Sequence, residues 1–295
     1  MRKLLVVAVV LMLSFSAIVG VLLLYQPVPE DGKDGEDHIP VDPHLLSVHF
    51  IDVGQGDATL IMAPSGARIL IDAGPLDSEE VLLSYLESYN VTHLDALVVS
   101  HSDSDHCGSA DDVLRAMDVD LVVHSGFYKD TPAYADFLEA VQEEGCPVLT
   151  RDTLDEGQYL DLADDLTVLV LSAYREAQDS NSASIVLKVT YGSEELLFMG
   201  DAPSGVEDWT MRNYDIDADV LKVAHHGSYS STSEEFLAEV TPLFAIVFCA
   251  DGNEYGYPHA EVLGRLGAVG AEVFRTDLVG TIVMQSDGDS LTKLE

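Results

Sequence analysis

From about Leu45 to the end, the chain alternates short apolar runs with amphipathic stretches. Runs at 46–52, 58–63 and 68–72 are rich in Val, Ile, Leu and Phe, and each closes on Gly, Pro or Asp, which predicts three strands. Over about 79–90, Val81, Leu82, Tyr85 and Leu86 recur at helical spacing and would share one face. A strand at 95–100 follows, then a helix opening near Ser109, a strand at 119–124 and a helix at 132–144. Strands are expected at 158–161, 166–171, 183–191 and 194–199, the last two joined through Gly192-Ser193 as a hairpin. Helices near 204–213, 233–240 and 259–267 then alternate with strands at 219–224, 243–249, 271–275 and 279–285. Many strands with helices interleaved predict an α/β (α+β) domain over 45–295, with two sheets face to face and helices outside.

The N-terminus has a different pattern. Arg2 and Lys3 precede Leu4–Tyr25, which is mostly apolar and carries no charge. At 1.5 Å per residue it is long enough to cross about 30 Å of hydrocarbon. A buried core helix of that length would show a polar stripe; here only Ser14 and Ser16 interrupt it. We therefore expect a transmembrane signal-anchor over 1–25, with a cleaved signal peptide as the alternative. Positive residues ahead of the segment would stay inside and send the rest of the chain outside. Residues 26–44 are rich in Pro, Gly and acids and read as a tether. The domain is thus expected outside the cytoplasm, membrane-anchored or secreted.

Composition changes the picture in one respect. Against 14 basic residues stand 52 acidic ones, a net charge of −38 with pI near 4.2. Such an excess bears on solubility and association, not on fold. Its simplest explanation is a surface adapted to high salt, as in a halophilic host, where screening shortens self-repulsion. It also argues against a loose nucleic-acid binder with a basic groove. Cys107, Cys146 and Cys249 have no spacing for a disulfide framework or a zinc knuckle.

Chemistry concentrates at strand ends. His-Ser-Asp-Ser-Asp-His at 101–106 places four potential metal ligands in six positions, directly after an apolar run. A strand ending in a tight loop can aim several side chains at one point, and His with carboxylate suits zinc, manganese or iron. Asp52, Asp57 and Asp72 flank turns after strands, Asp201 follows Met199-Gly200, and His225-His226 lead into Gly227-Ser228. His259 sits in Tyr257-Pro258-His259. Each has an ordinary turn explanation. Together they repeat one theme, an apolar strand followed by a ligand-type residue.

Seven stretches in order then carry a resemblance: FIDVGQGDATLI at 50–61, ILIDAG at 69–74, LVVSHSDSDHCGSADDVL at 97–114, NSASIVLKVTYG at 181–192, LLFMGDA at 196–202, DVLKVAHHGSYSST at 219–232 and YGYPHAEVL at 255–263. From about Ser47 to Leu294 the chain resembles the metallo-β-lactamase superfamily, and within it the hydrolase domain at the end of the competence protein ComEC and stand-alone relatives of that domain. The resemblance implies an αββα sandwich with one or two divalent metal ions at one edge. His101 and Asp103 would serve a first metal, Asp105 and His106 a second. Asp201 would bridge two metals or serve one, and His225 would be the later ligand, with His226 beside it and the two able to exchange roles. A further His of the superfamily has no counterpart; the matching stretch carries Asn181 and Ser184. The second site is therefore the expected occupied one, and the oxygen-rich first site is weak, manganese-filled or empty. Cys107 fills a place where relatives have a branched aliphatic and reads as a small buried hydrophobe. Tyr257 stands where relatives often have His.

The implied reaction is hydrolysis by water made acidic through metal binding. Asp105 would orient the attacking group, and His226 and His259 would donate to a phosphoryl oxygen. Gly227 would let backbone N–H groups approach an anion, with Ser228 adding a donor. A phosphodiester is the favoured substrate class, a nuclease the leading candidate within it. Hydrolysis of another ester, lactone or amide, or a silent binding module, are the alternatives.

Overall fold

The computed structural model describes residues 38–295, and Ile39–Glu295 form one compact unit. The expected transmembrane segment and the tether up to residue 37 lie outside the described residues. Among the described residues, no helix is long and apolar enough to cross a membrane. The compact unit begins slightly ahead of Leu45. The Asp42 N–H donates to Gln285 Oε1 at 3.2 Å, Gln285 Nε2 donates to Asp42 O at 3.0 Å, and the Tyr89 hydroxyl donates to Ile39 O at 2.9 Å.

Two sheets carry the domain. The 8-stranded sheet runs, in spatial order, Leu291–Lys293, Ile282–Ser286, Leu46–Phe50, Thr59–Met62, Arg68–Ile71, Ala96–Val99, Val122–His124 and Val148–Thr150. Its pairings are antiparallel as far as Arg68–Ile71 and parallel from there on. The 7-stranded sheet runs Glu272–Arg275, Phe244–Val247, Val220–Lys222, Glu194–Phe198, Val186–Tyr191, Thr167–Ser172 and Tyr159–Leu160. There the first four strands are parallel, and the expected hairpin pairs Leu187 with Phe198 and Tyr191 with Glu194.

Side-chain alternation assigns each strand two apolar faces. Ile69 and Ile71 point into a core between the sheets, while Leu70 packs on the outer side. Leu196 and Phe198 join the same central core, and Leu197 and Met199 face the other way. In the centre the Phe50 ring lies 6.3 Å from Phe198 and 6.1 Å from Phe248. Each such fully buried side chain contributes about 1.5–3 kcal/mol. The outer faces need covering, because strands buried on both sides cannot face water. Helices Glu79–Ser88, Ala110–Ala116 and Pro132–Glu144 cover one sheet; Ser204–Asn213, Glu234–Val240 and Ala260–Val269 cover the other. The result is a mixed α/β sandwich in four layers.

Helix Pro132–Glu144 was legible because it carries its own punctuation: Thr131 Oγ1 accepts from the Tyr134 N–H at 3.4 Å, with Pro132 in the first turn. Shorter pieces were not. The expected strand at 119–124 is split, with Val119 pairing with Leu94 in a separate two-stranded ladder and Val122–His124 joining the large sheet. Edge strands Val148–Thr150 and Leu291–Lys293 and the one-turn helices Ser104–Cys107 and Thr276–Val279 had no periodic signal, being three or four residues long.

Candidate metal centre

The polar strand ends meet at one edge of the sandwich. Asp72 follows strand Arg68–Ile71, Ser100 and His101 follow Ala96–Val99, and helix Ser104–Cys107 carries Asp105 and His106. From the other sheet come Asp201, after Glu194–Phe198, and His225 and His226, after Val220–Lys222. Backbone hydrogen bonds stitch the loops: Asp57 N–H to Asp105 O at 3.1 Å, Ala73 N–H to His106 O at 2.8 Å and His225 N–H to Gly200 O at 3.2 Å. Gly56 makes the first of these possible, since a Cβ there would collide with the Asp105 carbonyl. His225 and His226 both take positive φ, 51° and 53°, as does Asp72 at 60°. For non-glycine residues that conformation costs about 1–3 kcal/mol each, and it persists only where surroundings impose it.

One cluster stands out. Asp105, His106, Asp201 and His226 each offer a ligand atom, and these atoms all lie within 4.8 Å of one another. His226 Nε2 is 3.2 Å from Asp105 Oδ2 and 3.7 Å from Asp201 Oδ2; His106 Nε2 is 3.2 Å from Asp201 Oδ1. The outer nitrogens are committed elsewhere. His226 Nδ1 donates to Phe248 O at 3.1 Å and His106 Nδ1 to Asp72 Oδ2 at 2.9 Å. A carbonyl oxygen only accepts, so the inner Nε2 of neutral His226 carries a lone pair; the Asp72 carboxylate imposes the same tautomer on His106. Buried His106 Nε2 and Asp201 Oδ1 make no hydrogen bond despite their proximity. Acceptors facing acceptors in a buried site are costly unless a cation sits between them. The donor set therefore fits a divalent metal ion, with Asp72 in the carboxylate–histidine arrangement that orients a ligating ring.

Electrostatics agree. Burial pulls the His106 pKa down, but Asp201, Asp57 and Asp72 outweigh it and hold the imidazole well above its ordinary value. Burial raises the Asp201 carboxyl, yet His106 and His226 leave it well below the usual carboxylate range. Asp105 is likewise lowered against its burial, first by the hydrogen bond that His226 donates from Nε2 when protonated. Such a site prefers positive charge.

The second group of ligand-type residues is looser. His101 Nε2 lies 4.0 Å from Asp103 Oδ1 and 3.9 Å from Asp201 Oδ2, and His225 Nε2 lies 3.8 Å from Asp201 Oδ2. Asp103 is held by Lys129, whose ammonium is 2.7 Å from Oδ1. His101 Nδ1 contacts Ser100 Oγ at 3.1 Å, its Nε2 makes no hydrogen bond, and burial, followed by the neighbouring His106, lowers its pKa to about 4. Asn181 meets the His225 ring at 3.4 Å.

Of the two histidines whose roles the sequence left exchangeable, the tight cluster contains His226, which is 1% exposed, and not His225, whose side chain is 23% exposed at the cavity wall. The left-handed turn explains the choice: consecutive side chains diverge, and only the second faces Asp105. His259 does not line the cavity that opens on the cluster. Its Nδ1 accepts the Tyr229 N–H at 3.1 Å and its backbone opens helix Ala260–Val269, so it shapes the 227–230 loop. Gly227 serves packing: a Cβ there would stand 2.5 Å from Pro258 Cβ, and Ser228 Oγ is paired with Ser230 Oγ at 3.0 Å. Cys107 is fully buried as expected, and burial pushes its thiol up to about 12.

Lys222 was missed. Its ammonium is buried against the Asp57 carboxylate, donates to Gly200 O at 2.9 Å and lies 3.8 Å from Asp201 Oδ1. A lone lysine within Val220–Ala224, otherwise apolar, was the available signal. Lys129 was also missed, since nothing local marks a loop lysine as part of a site.

The Metallo-beta-lactamase superfamily model matches residues 51–251. The chain belongs to the metallo-β-lactamase superfamily. Among curated proteins it is 36% identical over 257 residues to ComE operon protein 3 of Bacillus subtilis, covering 80% of this chain and 32% of that protein. To Recombination protein 2 of Haemophilus influenzae it is 32% identical over 241 residues, covering 80% and 28%. The chain thus spans about a third of the length of these relatives, which are of the ComEC type. Among solved structures, the metallo-beta-lactamase fold protein YhfI from Bacillus subtilis superposes with a TM-score of 0.54 at 13% identity, over 82% of this chain and 100% of that one. At that identity the likeness concerns the fold. Superfamily membership and the His/Asp cluster together make this metallo-β-lactamase-fold protein a metal-dependent hydrolase.

Proposed function

We propose that this domain is a phosphodiesterase of the ComEC-like type, acting as a nuclease outside the cytoplasm and held at the membrane by its N-terminal segment. The observation that carries the reading is the convergence of Asp105, His106, Asp201 and His226 on one point at the floor of a cavity of about 520 Å³. When bound there, a divalent cation supplies Lewis acidity toward a phosphoryl oxygen and makes water acidic enough to react near neutral pH. Zinc or manganese suits the mixed imidazole and carboxylate set. Asp105, with its side chain 31% exposed against 4% for Asp201, is the more open of the two cluster carboxylates that line the cavity and can orient an attacking water. His226 is fixed by Phe248 O, and Lys129 places the compensating positive charge beside Asp103 at the cavity wall. The relative named for recombination supports a nucleic-acid substrate. The Arg2-Lys3 and Leu4–Tyr25 pattern supports the extracytoplasmic placement.

Asp105→Ala and His106→Ala are expected to abolish hydrolysis of a bis-aryl phosphodiester and to lower bound metal, with circular dichroism unchanged. Elemental analysis should find one tightly held ion per chain and a second only in excess manganese, because the His101–Asp103 group is wider and already neutralised by Lys129. Unchanged turnover in both variants would overturn the enzymatic reading, and two equally tight zinc ions would overturn the ranking of the sites.

A further inference from the structure

A row of rings leads from the metal cluster to solvent. The His226 and Tyr257 rings are stacked, with centroids 6.1 Å apart and planes at 27°; Tyr257 and Tyr255 follow at 5.4 Å and 16°. Tyr257 spends its hydroxyl within the site, 3.4 Å from His225 Nε2. Tyr255 ends the row, one face against Tyr257 and the residue 57% exposed at the cavity wall. The loop that holds it is braced by Asn253, which accepts the Tyr257 N–H at 2.9 Å and donates to Ala250 O at 2.9 Å and Tyr257 O at 2.8 Å. An aromatic face held in place beside a reaction centre loses little freedom on binding.

We propose that Tyr255 is a stacking platform for a nucleobase beside the scissile phosphate, which makes single-stranded nucleic acid the substrate class of this site. The inference rests on the phosphodiesterase reading and deepens it. Charge decides between the ways a nucleic acid can be held. With a net charge of −38, and with Asp103 and Glu254 in the cavity wall against Lys129, phosphate neutralisation by a basic groove is not available. Base stacking on an aromatic ring needs no basic groove and tolerates any sequence. In a duplex the base faces are covered by their neighbours, so an open ring face selects strands whose bases are free to leave the stack. The platform also retains its strength where salt screens phosphate contacts, which matches a surface this acidic.

The test is fluorescence anisotropy of the intact protein with labelled oligothymidylate, an abasic strand of equal length and a duplex, at low and high salt. Tyr255→Ala is expected to weaken oligothymidylate binding about 10-fold, equally at both salt concentrations, and to leave the abasic strand unaffected. Tyr255→Phe, which keeps the ring, is expected to restore binding. In hydrolysis Tyr255→Ala should raise KM for oligothymidylate by about that factor with kcat little changed. Equal loss for the abasic strand, preference for duplex, no oligothymidylate binding, or a larger effect on a phosphocholine ester than on the oligonucleotide would each overturn the platform. If no phosphodiester is hydrolysed while Tyr255→Ala still weakens oligothymidylate binding, the phosphodiesterase reading fails and the platform stands.

Discussion

Replacing Asp72 by Asn tests whether the centre is built from outside inward. The Asp72 carboxylate is 2% exposed and accepts three hydrogen bonds, from the Ser100 N–H at 2.7 Å, the Ser100 hydroxyl at 2.8 Å and His106 Nδ1 at 2.9 Å. A carboxylate can accept all three, whereas Asn presents one oxygen and an NH2 group, so at least one donor faces another donor. Losing one charge-assisted hydrogen bond in a buried site costs about 1.5–3 kcal/mol. A freed His106 ring also turns its Nε2 away from Asp201, and loss of such an orienting partner typically weakens metal binding by about 10–100-fold. At 1.4 kcal/mol per tenfold, that corresponds to about 1.4–2.8 kcal/mol. One effect opposes it: Asp72 helps hold the His106 pKa up, so its removal eases competition between proton and metal. Asp201 and Asp57 come first among the groups that raise it, so this offset is the smaller term. The assay is competition against a fluorescent chelator for zinc and manganese, with a thermal melt and circular dichroism on the same samples. A folded Asp72→Asn protein whose metal Kd stays within about twofold of wild type, against the 10–100-fold expected, would refute the assignment of Asp72 and with it the inward-facing tautomer of His106.

Three further outcomes are expected. Lys222→Met leaves Asp57 buried without its ammonium and should destabilise the domain by about 3–5 kcal/mol, read as a lower denaturation midpoint; an unchanged midpoint would mean the pair contributes nothing. Burial lowers the His124 pKa from 6.5 to about 4, with Nδ1 accepting the Gly126 N–H at 3.2 Å. The unfolded chain takes the proton first, so this stability is complete above pH 6.5 and is lost as pH falls toward 4, by about 3 kcal/mol. His124→Asn keeps an acceptor without the titration and should flatten the pH slope of stability in that window; identical slopes would count against it. Raising salt from 0.1 to 1 M shortens the screening length from about 10 to about 3 Å. With a net charge of −38, each 1 kcal/mol so gained should raise Tm by about 2–4 °C, and a flat or falling Tm would remove the case for a salt-adapted surface.

How much of this was readable in the chain depends on the range over which each feature is set. Strand alternation and helix caps are local, so the runs at 46–52, 68–72 and 194–199 and the helix at 132–144 announced their type directly. The cluster of His101, Asp103, Asp105 and His106 was equally visible, because six consecutive residues carry all four. So was the recurrence of Asp or His after apolar strands, including Asp201.

Tertiary structure alone decided the rest. Whether His225 or His226 faces Asp105 depends on two left-handed backbone angles, which no propensity encodes. Pairing of Lys222 with Asp57 joins a strand of one sheet to a loop between two strands of the other, and the Lys129–Asp103 contact joins two loops. His259, near in sequence to Tyr257, is directed into a loop contact and not into the cavity. Side-chain periodicity is written every two or four residues and survives as a pattern. A site assembled from separate loops is a property of distances, and those exist only once both sheets have closed on the central core.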